Sequence, residues 1–492
     1  MPRVGEARRE PPCREQQGNR QRNPVRSLAV PGEVQGRKPG PGAMSLVYRA
    51  GRSAAEIQQQ YGISDVVKLS SNELPWGPLP SVRDAILRAV TGDDGANRYP
   101  DLRATELRAT IAAYHGVDPG RVAVGAGSGG ILAQLVRSEL RGDSAVLVPG
   151  PTFDLYRIMS TWTGASVHVA DMPATVPDVD TLVAGLRPET RLVFLASPNN
   201  PTGGALGADR VARIASRVPE GCIVVVDEAY ADFVTACHID QGAALIDRYD
   251  NVVVLRTFSK AHGLAGLRIG YLLGHPAIVD RVGALSTPFH IGTVGQVAAI
   301  ESVRHAAQVR ERAERVVAER ERMAATIRAM GLGLGWSQAN FLWLPAGSGA
   351  ARLAQALEQR GLVPRLFDGK GVRVTVARAA DNDRVLAVLG ELDLRDTWTL
   401  PVGDGVVAAA RTAAELESVS GVVDGAVARD AYRAALALAG RVPDPQIDTW
   451  GAEQAGHALV AELLDVVSVD LLEGREKIAA QVIATARAKD GQ

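Results

Sequence analysis

The sequence predicts an α/β protein built on a mostly parallel sheet, and three observations predict it. Short apolar runs recur through the middle of the chain, at 144–148 (SAVLV), 166–170 (SVHVA), 192–196 (LVFLA), 223–226 (IVVV) and 252–255 (VVVL). Near-continuous runs of this length read as strands covered on both faces. Helical stretches separate them, as a doubly wound parallel sheet requires. Three runs also end in polar chemistry: 197–204 (SPNNPTGG), the segment Asp227, Glu228, Ala229, Tyr230, and 256–271 (RTFSKAHGLAGLRIGY). Ligands of open α/β sheets sit outside the carboxyl ends of the strands.

The 492 residues exceed one simple core and predict several domains. A net charge of −1 gives no electrostatic reason to expect nucleic acid or an anionic membrane as partner. No apolar run approaches the roughly 20 residues that span a bilayer. The three cysteines, Cys13, Cys222 and Cys237, are odd in number and lack ligand spacing. They argue against a disulfide framework or a metal site, and for a reducing cytoplasm. The N-terminus lacks the apolar core of a secretory signal.

Taken in order, residues 1–43 are rich in Arg, Pro, Gly and Gln, have almost nothing to bury, and read as a disordered tail. A natural start at Met44 would make that tail an artefact of start assignment. Residues 44–80 form an N-terminal arm: an arm and short helix over 48–61, a strand at 66–69, and a loop at 70–80 (SSNELPWGPLP) held by its Pro and Gly. The large α/β domain is expected over 81–296. It opens with an amphipathic helix at 81–90, a constrained loop at 97–101 (NRYPD), a helix at 105–114 and a strand at 121–124. The glycines of 125–130 (GAGSGG) then open a helix through 131–138, where backbone N–H groups can meet an anion at the positive end of the helix dipole. A Pro-rich turn, 151–156 (PTFDLY), follows the strand at 144–148. Residues 297–330 read as mostly one long charged helix leading into a smaller α+β domain, 297–395, with strands at 337–344 (SQANFLWL) and 372–376 (VRVTV) around a helix at 351–359. Residues 396–492 are Ala-rich, with helical patches at 406–419, 426–438, 452–467 and 471–488 broken by Pro443 and Pro445. They read as an appended helical unit, a packing or dimer-extending accessory.

A lysine at a strand end, among apolar and small residues, can be desolvated until its amine is neutral and nucleophilic; Lys260 stands so. Thr257, Ser259 and Arg268 beside it suit a phosphate, which wants charge-assisted and bidentate donors. An amine next to a phosphate cradle suggests an aldehyde cofactor that carries a phosphate. Asp227, Asn200 and Lys260 fall at three predicted strand ends on one edge of one sheet.

With 70–80, 97–101, 127–130, 151–153, 197–203, 227–230, 257–260 and Arg268 in this order, the chain resembles the fold-type I pyridoxal-phosphate enzymes. Within them it is similar to the histidinol-phosphate aminotransferase family, including its aromatic amino-acid aminotransferase branch. The stretches RTFSKAHGLAGLRIGY and SQANFLWL are most like the actinobacterial members of that branch, and the resemblance covers roughly Tyr48 to Leu394. It implies pyridoxal 5′-phosphate bonded to Lys260, with Asp227 facing the pyridine nitrogen. It further implies Asn200 and Tyr230 on the ring's 3′-oxygen and Phe153 stacked on the ring. The phosphate would rest on the Ser128 and Gly129 N–H groups, Thr257, Ser259 and Arg268. Tyr99 would reach that phosphate from the neighbouring subunit of a homodimer. Arg373, with Arg365 nearby, would take the substrate's anionic group, and Tyr48 and Asn340 would line the substrate site.

Some positions depart from the family pattern. Gly129 and Gly130 stand where an acidic pair is common, His262 where an aromatic is usual, and Ala377 where a glycine normally follows the strand. The loop 288–296 (PFHIGTVGQ) lacks the usual asparagines. None of these removes a cofactor group; all bear on the substrate. The leading expectation is an aminotransferase moving an amino group from an aromatic L-amino acid or similar donor to a 2-oxo acid. The alternatives are histidinol-phosphate transamination, with Arg365 and Arg373 on the substrate phosphate, and decarboxylation of a phosphorylated amino acid. A binding module with a decayed site would require loss of Lys260, Asp227 or Arg268, and all three are present.

Overall fold

Runs of Val, Leu and Ile with no polar interruption can be buried only if both faces of their sheet are covered. In the computed structural model, which describes residues 51–93, 95–172, 179–235 and 242–399, they are. The tail 1–43, Tyr48, Cys13, Cys237 and the helical unit from residue 400 onward lie outside the described residues.

Twelve strands are described. They are β1 (Val67–Lys68), β2 (Val122–Gly125), β3 (Ala145–Gly150), β4 (Ser166–Asp171), β5 (Thr190–Ala196), β6 (Ile223–Asp227), β7 (Val252–Thr257), β8 (Gly270–Leu273), β9 (Phe341–Leu344), β10 (Leu362–Val363), β11 (Arg365–Phe367) and β12 (Gly371–Thr375). Seven of them make one sheet in the order β2-β8-β7-β6-β5-β3-β4. The pairs β7–β6, β6–β5, β5–β3 and β3–β4 are parallel, whereas β8 runs antiparallel to both β2 and β7. Successive residues of one strand enter different cores. Val224 and Val226 of β6 enter the core that also takes the buried faces of the helices Pro80–Thr91, Thr105–His115 and Ala208–Ala215. Ile223 and Val225 enter a second core, shared with Ile131, Leu132, Leu135 and Val136 of the helix Gly127–Glu139 and with Val279 and Val282 of the helix Pro276–Gly283. The fold is α/β with a mostly parallel central sheet.

A second, antiparallel sheet has the order β11-β12-β9, and β1 pairs in parallel with β10. The arm strand at 66–69 is therefore two residues long and borrows its partner from the C-terminal half.

Three expectations need correcting. The charged stretch 297–330 is two helices, Thr293–Arg304 and Ala306–Ala329, parted at His305, whose backbone (φ −107°, ψ 33°) leaves the helical region. Of SQANFLWL only Phe341–Leu344 is strand, because Ser337 folds back with its hydroxyl donating to Phe341 O at 2.7 Å. The Pro-rich turn PTFDLY gives way at Asp154 to a helix, Asp154–Thr161, with an acidic first turn suited to the helix dipole. Among the described residues, no helix is long and apolar enough to cross a membrane.

Candidate active site

The carboxyl ends of β5, β6 and β7 bring the polar segments together. Asp227 is the last residue of β6, paired in register with Ala196 of β5 and Leu255 of β7. Its carboxylate is 6 % exposed, accepts from the Tyr156 hydroxyl at Oδ2 (2.7 Å) and from the Ala229 N–H at Oδ1 (3.1 Å). Burial pushes its pKa above the ordinary carboxylate value, opposed by those two bonds.

Lys260 follows β7 by three residues. Its Nζ donates to Ser71 O at 2.8 Å and lies 5.5 Å from the centre of the Tyr230 ring. Burial and the Arg373 guanidinium, with a smaller push from Arg268 and partial relief from Glu73 and Asp227, bring the amine's pKa down to about 7. At neutral pH much of it is therefore the neutral base.

Around the start of the helix Gly127–Glu139 the donors cluster. Thr257 Oγ1 donates to Ser259 Oγ (2.9 Å) and accepts from the Ser259 N–H (3.1 Å), and Arg268 Nη1 donates to Ser259 Oγ (3.2 Å). A Cβ built on Gly127 would meet Arg268 Nη2 at 2.4 Å, so the guanidinium packs directly over that glycine, whose φ is +74°. The first turn, with Ser128 and Gly129, has no side-chain cap. Its N–H groups face outward as an uncapped helix start does. Gly270, paired with Thr257, sits so close to Ser128 N that a Cβ there would approach to 2.4 Å. Close strand–helix contact thus fixes this donor group.

Asn200 and Tyr230 approach each other, with Asn200 Nδ2 3.5 Å from the phenol oxygen. Arg373, on β12, donates to Asn200 Oδ1 and to Ser70 O. Arg365 on β11 is paired in register with Arg373, so the two share one face of the small sheet. Phe153 precedes the helix Asp154–Thr161 and meets Tyr156 edge-on at 5.5 Å. Asn340 is fully buried and its Nδ2 donates to Asn72 O at 3.1 Å. Tyr99 stands apart: 82 % exposed, it stacks on Phe289 at 4.6 Å. Tyr48 lies outside the described residues.

Three residues that the sequence reading passed over belong to this cluster: Tyr156 on Asp227, Asn72 with its Nδ2 on the Tyr230 hydroxyl at 2.9 Å, and Thr375 holding Asn72. Tyr156 had a signal, since in a helix it shares a face with the position three residues earlier, Phe153. Asn72 and Thr375 are 303 residues apart, and no local pattern joins them.

A family model described as aminotransferase class I and II matches residues 64–389. An aromatic amino acid aminotransferase of Cutibacterium acnes is 39% identical over 348 residues, covering 70% of this chain and 95% of that protein. One of Thermobifida fusca is 41% identical over 321 residues, covering 65% and 89%. Among solved structures, histidinol-phosphate aminotransferase from Sinorhizobium meliloti in complex with pyridoxal-5′-phosphate superposes with a TM-score of 0.64 at 28% identity, over 69% of this chain and 94% of that one.

Proposed function

The chain belongs to the class I and II aminotransferases, and from that premise we propose that it moves an amino group from an aromatic L-amino acid to a 2-oxo acid, using pyridoxal 5′-phosphate. One observation carries the chemistry: a half-buried lysine with a pKa near 7 stands beyond the strand adjacent to the one that ends in a buried carboxylate, beside a cluster of anion donors. The donor set fits that cofactor. Arg268, Ser259, Thr257 and the N–H groups of Ser128 and Gly129 suit a phosphate, and glycine at 127 leaves the room that a Cβ would take from Arg268.

When bound, pyridoxal phosphate supplies an electron sink for the bond broken at the substrate's α-carbon. Lys260 Nζ would hold the cofactor, and its amine would take the substrate's α-proton and return it; a pKa near the working pH suits both directions. Asp227 keeps a proton on the ring nitrogen, and the Tyr156 hydroxyl and Ala229 N–H fix its carboxylate for that task. Asn200 and Tyr230 would donate to the ring's 3′-oxygen, and Phe153 would cover the ring. Arg373, with Arg365 on the same face, takes the substrate carboxylate and orients the Cα–H bond for removal. Asn340 and Tyr48 complete the substrate side. Tyr99, exposed in the single chain, reaches the phosphate of a partner subunit, so the active unit is a homodimer. The proposal keeps the division into a large part over 81–296 and a small part over 297–395, and a cytoplasmic enzyme.

The aromatic donor is supported by the names of the relatives near 40% identity. Those names also favour amino transfer over the decarboxylation that the sequence left open. A second reading, histidinol phosphate as donor, has support from the two arginines on one face, which suit a phosphate as well as a carboxylate. Initial rates with phenylalanine and with histidinol phosphate, at equal concentration and with one 2-oxo acid acceptor, decide. Phenylalanine is expected to be faster. Preference for histidinol phosphate would replace the first reading with the second, and a protein that stays colourless with pyridoxal phosphate would remove both.

A further inference from the structure

We propose that Asn72 is a positioning residue for this reaction, its side-chain amide donating to the Tyr230 hydroxyl and thereby setting the direction in which that phenol gives its own proton. The inference rests on the reading above, in which Tyr230 serves the cofactor's 3′-oxygen.

Asn72 comes from the N-terminal arm and is 1 % exposed. Every polar group it has is engaged. Its N–H donates to Thr375 Oγ1 (3.0 Å), its carbonyl accepts from Asn340 Nδ2 (3.1 Å), its Nδ2 donates to Tyr230 (2.9 Å), and its Oδ1 lies 3.1 Å from Thr375 Oγ1, whose one hydrogen it shares with Leu69 O. Thr375 is anchored in turn, its hydroxyl reaching Leu69 O at 2.7 Å. The backbone of Asn72 is left-handed, at φ +54°, a conformation that asparagine tolerates and bulkier residues avoid. A residue held in that conformation from two other segments is aimed, and its target is the hydroxyl of a phenol whose ring centre lies 5.5 Å from Lys260 Nζ.

That oxygen therefore receives an amide hydrogen from Asn72 at 2.9 Å, with the Asn200 amide at 3.5 Å. With Asn72 in that position, the O–H bond is turned away from the arm. Accepting one hydrogen bond also makes the hydroxyl a better donor of the next. Asn72 touches neither substrate nor cofactor in this scheme; it acts through Tyr230. The charged groups that face the lysine here are Asp227, Arg373, Arg268 and Glu73, and a change at Asn72 alters none of them.

The test uses the full chain loaded with pyridoxal phosphate and reads the pH midpoint of its visible absorbance. Asn72→Gly removes the amide and keeps the left-handed backbone. Weaker donation to the 3′-oxygen makes the lysine–cofactor linkage more basic, so the midpoint should rise by about half to one pH unit, the equivalent of one ordinary hydrogen bond. In a Tyr230→Phe background the same change should move the midpoint no further, because the group through which Asn72 acts is gone. Thr375→Val, which loosens Asn72 from behind, should shift it in the same direction by less, and Thr375→Ser should restore the parental value. The Thr375 pair decides the matter if Asn72→Gly does not fold. An unchanged midpoint in a variant that loads the cofactor, or an equal shift with and without the Tyr230 hydroxyl, would overturn the proposal. A parent chain that takes up no pyridoxal phosphate would overturn the functional reading instead.

Discussion

The bond from the Tyr156 hydroxyl to Asp227 Oδ2, 2.7 Å between two buried groups, can be removed cleanly. Tyr156→Phe deletes one oxygen and keeps the ring, which stacks on Phe194 at 4.7 Å with 2° between planes and meets Phe153 edge-on. A hydrogen bond to a charged group is worth about 1.5–3 kcal/mol. At about 1.4 kcal/mol per pKa unit, its loss should raise the Asp227 pKa by roughly one to two units beyond the elevation that burial already causes. An acid whose folded pKa lies above its unfolded value holds protons better when folded. It therefore lowers stability progressively as pH rises from the ordinary 3.8 through the folded pKa, and the deficit is complete above that. The variant extends this window upward. Thermal melts of cofactor-free protein should show Tyr156→Phe below the parent at pH 7–8, with the gap narrowing towards pH 4. Pyridoxal-phosphate affinity should fall at neutral pH as well, measured by absorbance titration. A melting gap that stays constant with pH, with affinity unchanged, would refute the view that this phenol stabilises a carboxylate charge.

Two further outcomes follow from the same contacts. The rate at which cofactor-free protein takes up pyridoxal phosphate should rise with pH through about 7 and then level, because only the neutral Lys260 amine attacks; stopped-flow absorbance reads it, and Lys260→Ala should abolish both turnover and borohydride-trapped cofactor. Arg256 donates from Nε to Glu228 Oε2 at 2.9 Å in a pair that is 6 % and 4 % exposed, so Arg256→Met should cost about 3–5 kcal/mol in denaturant melts by leaving a buried carboxylate unpaired, and adding Glu228→Gln should recover part of it.

Much of the fold could be read from the chain because burial on both faces writes itself into sequence. Strands β3 and β5 to β7 each carry an uninterrupted apolar run, and the residues beyond those runs carry the site, so Asn200, Asp227 and Lys260 could be set on one sheet edge without coordinates. Strand β8 escaped for a physical reason. Its four residues, Gly270–Leu273, begin inside the polar segment 256–271 and are too few to show a period, and its antiparallel pairing to β2 reaches back nearly 150 residues. The helix break at His305 escaped because the Arg, Glu and Ala on either side favour helix alike, and nothing local marks the boundary. At the site, the groups on strand ends were legible, while the groups that hold them were not. Asn72 reaches Tyr230 across 158 positions and Thr375 reaches Asn72 across 303, so their pairing exists only once the arm and the small sheet have met.

The electrostatics of Lys260 tie these two kinds of group together. Apart from burial, the strongest influence lowering its pKa is Arg373, and Arg268 adds to it. Under the proposed roles these are the cations that receive the substrate carboxylate and the cofactor phosphate. Each anion, on arrival, cancels part of the positive field at Nζ, so occupation of the two sites should make the amine a stronger base. The sign matters. With its sites empty the chain keeps a large share of the amine neutral and ready to attack near pH 7, and with them filled the same amine gains affinity for the α-proton it has to remove. Asp227, buried and bonded to Tyr156 and the Ala229 N–H, responds in the opposite sense, because a cationic ring lowers its pKa and holds it ionised. Burial drives the two groups towards neutrality separately; binding then raises the basicity of the amine and holds the carboxylate ionised, the two properties that proton removal and ring protonation need.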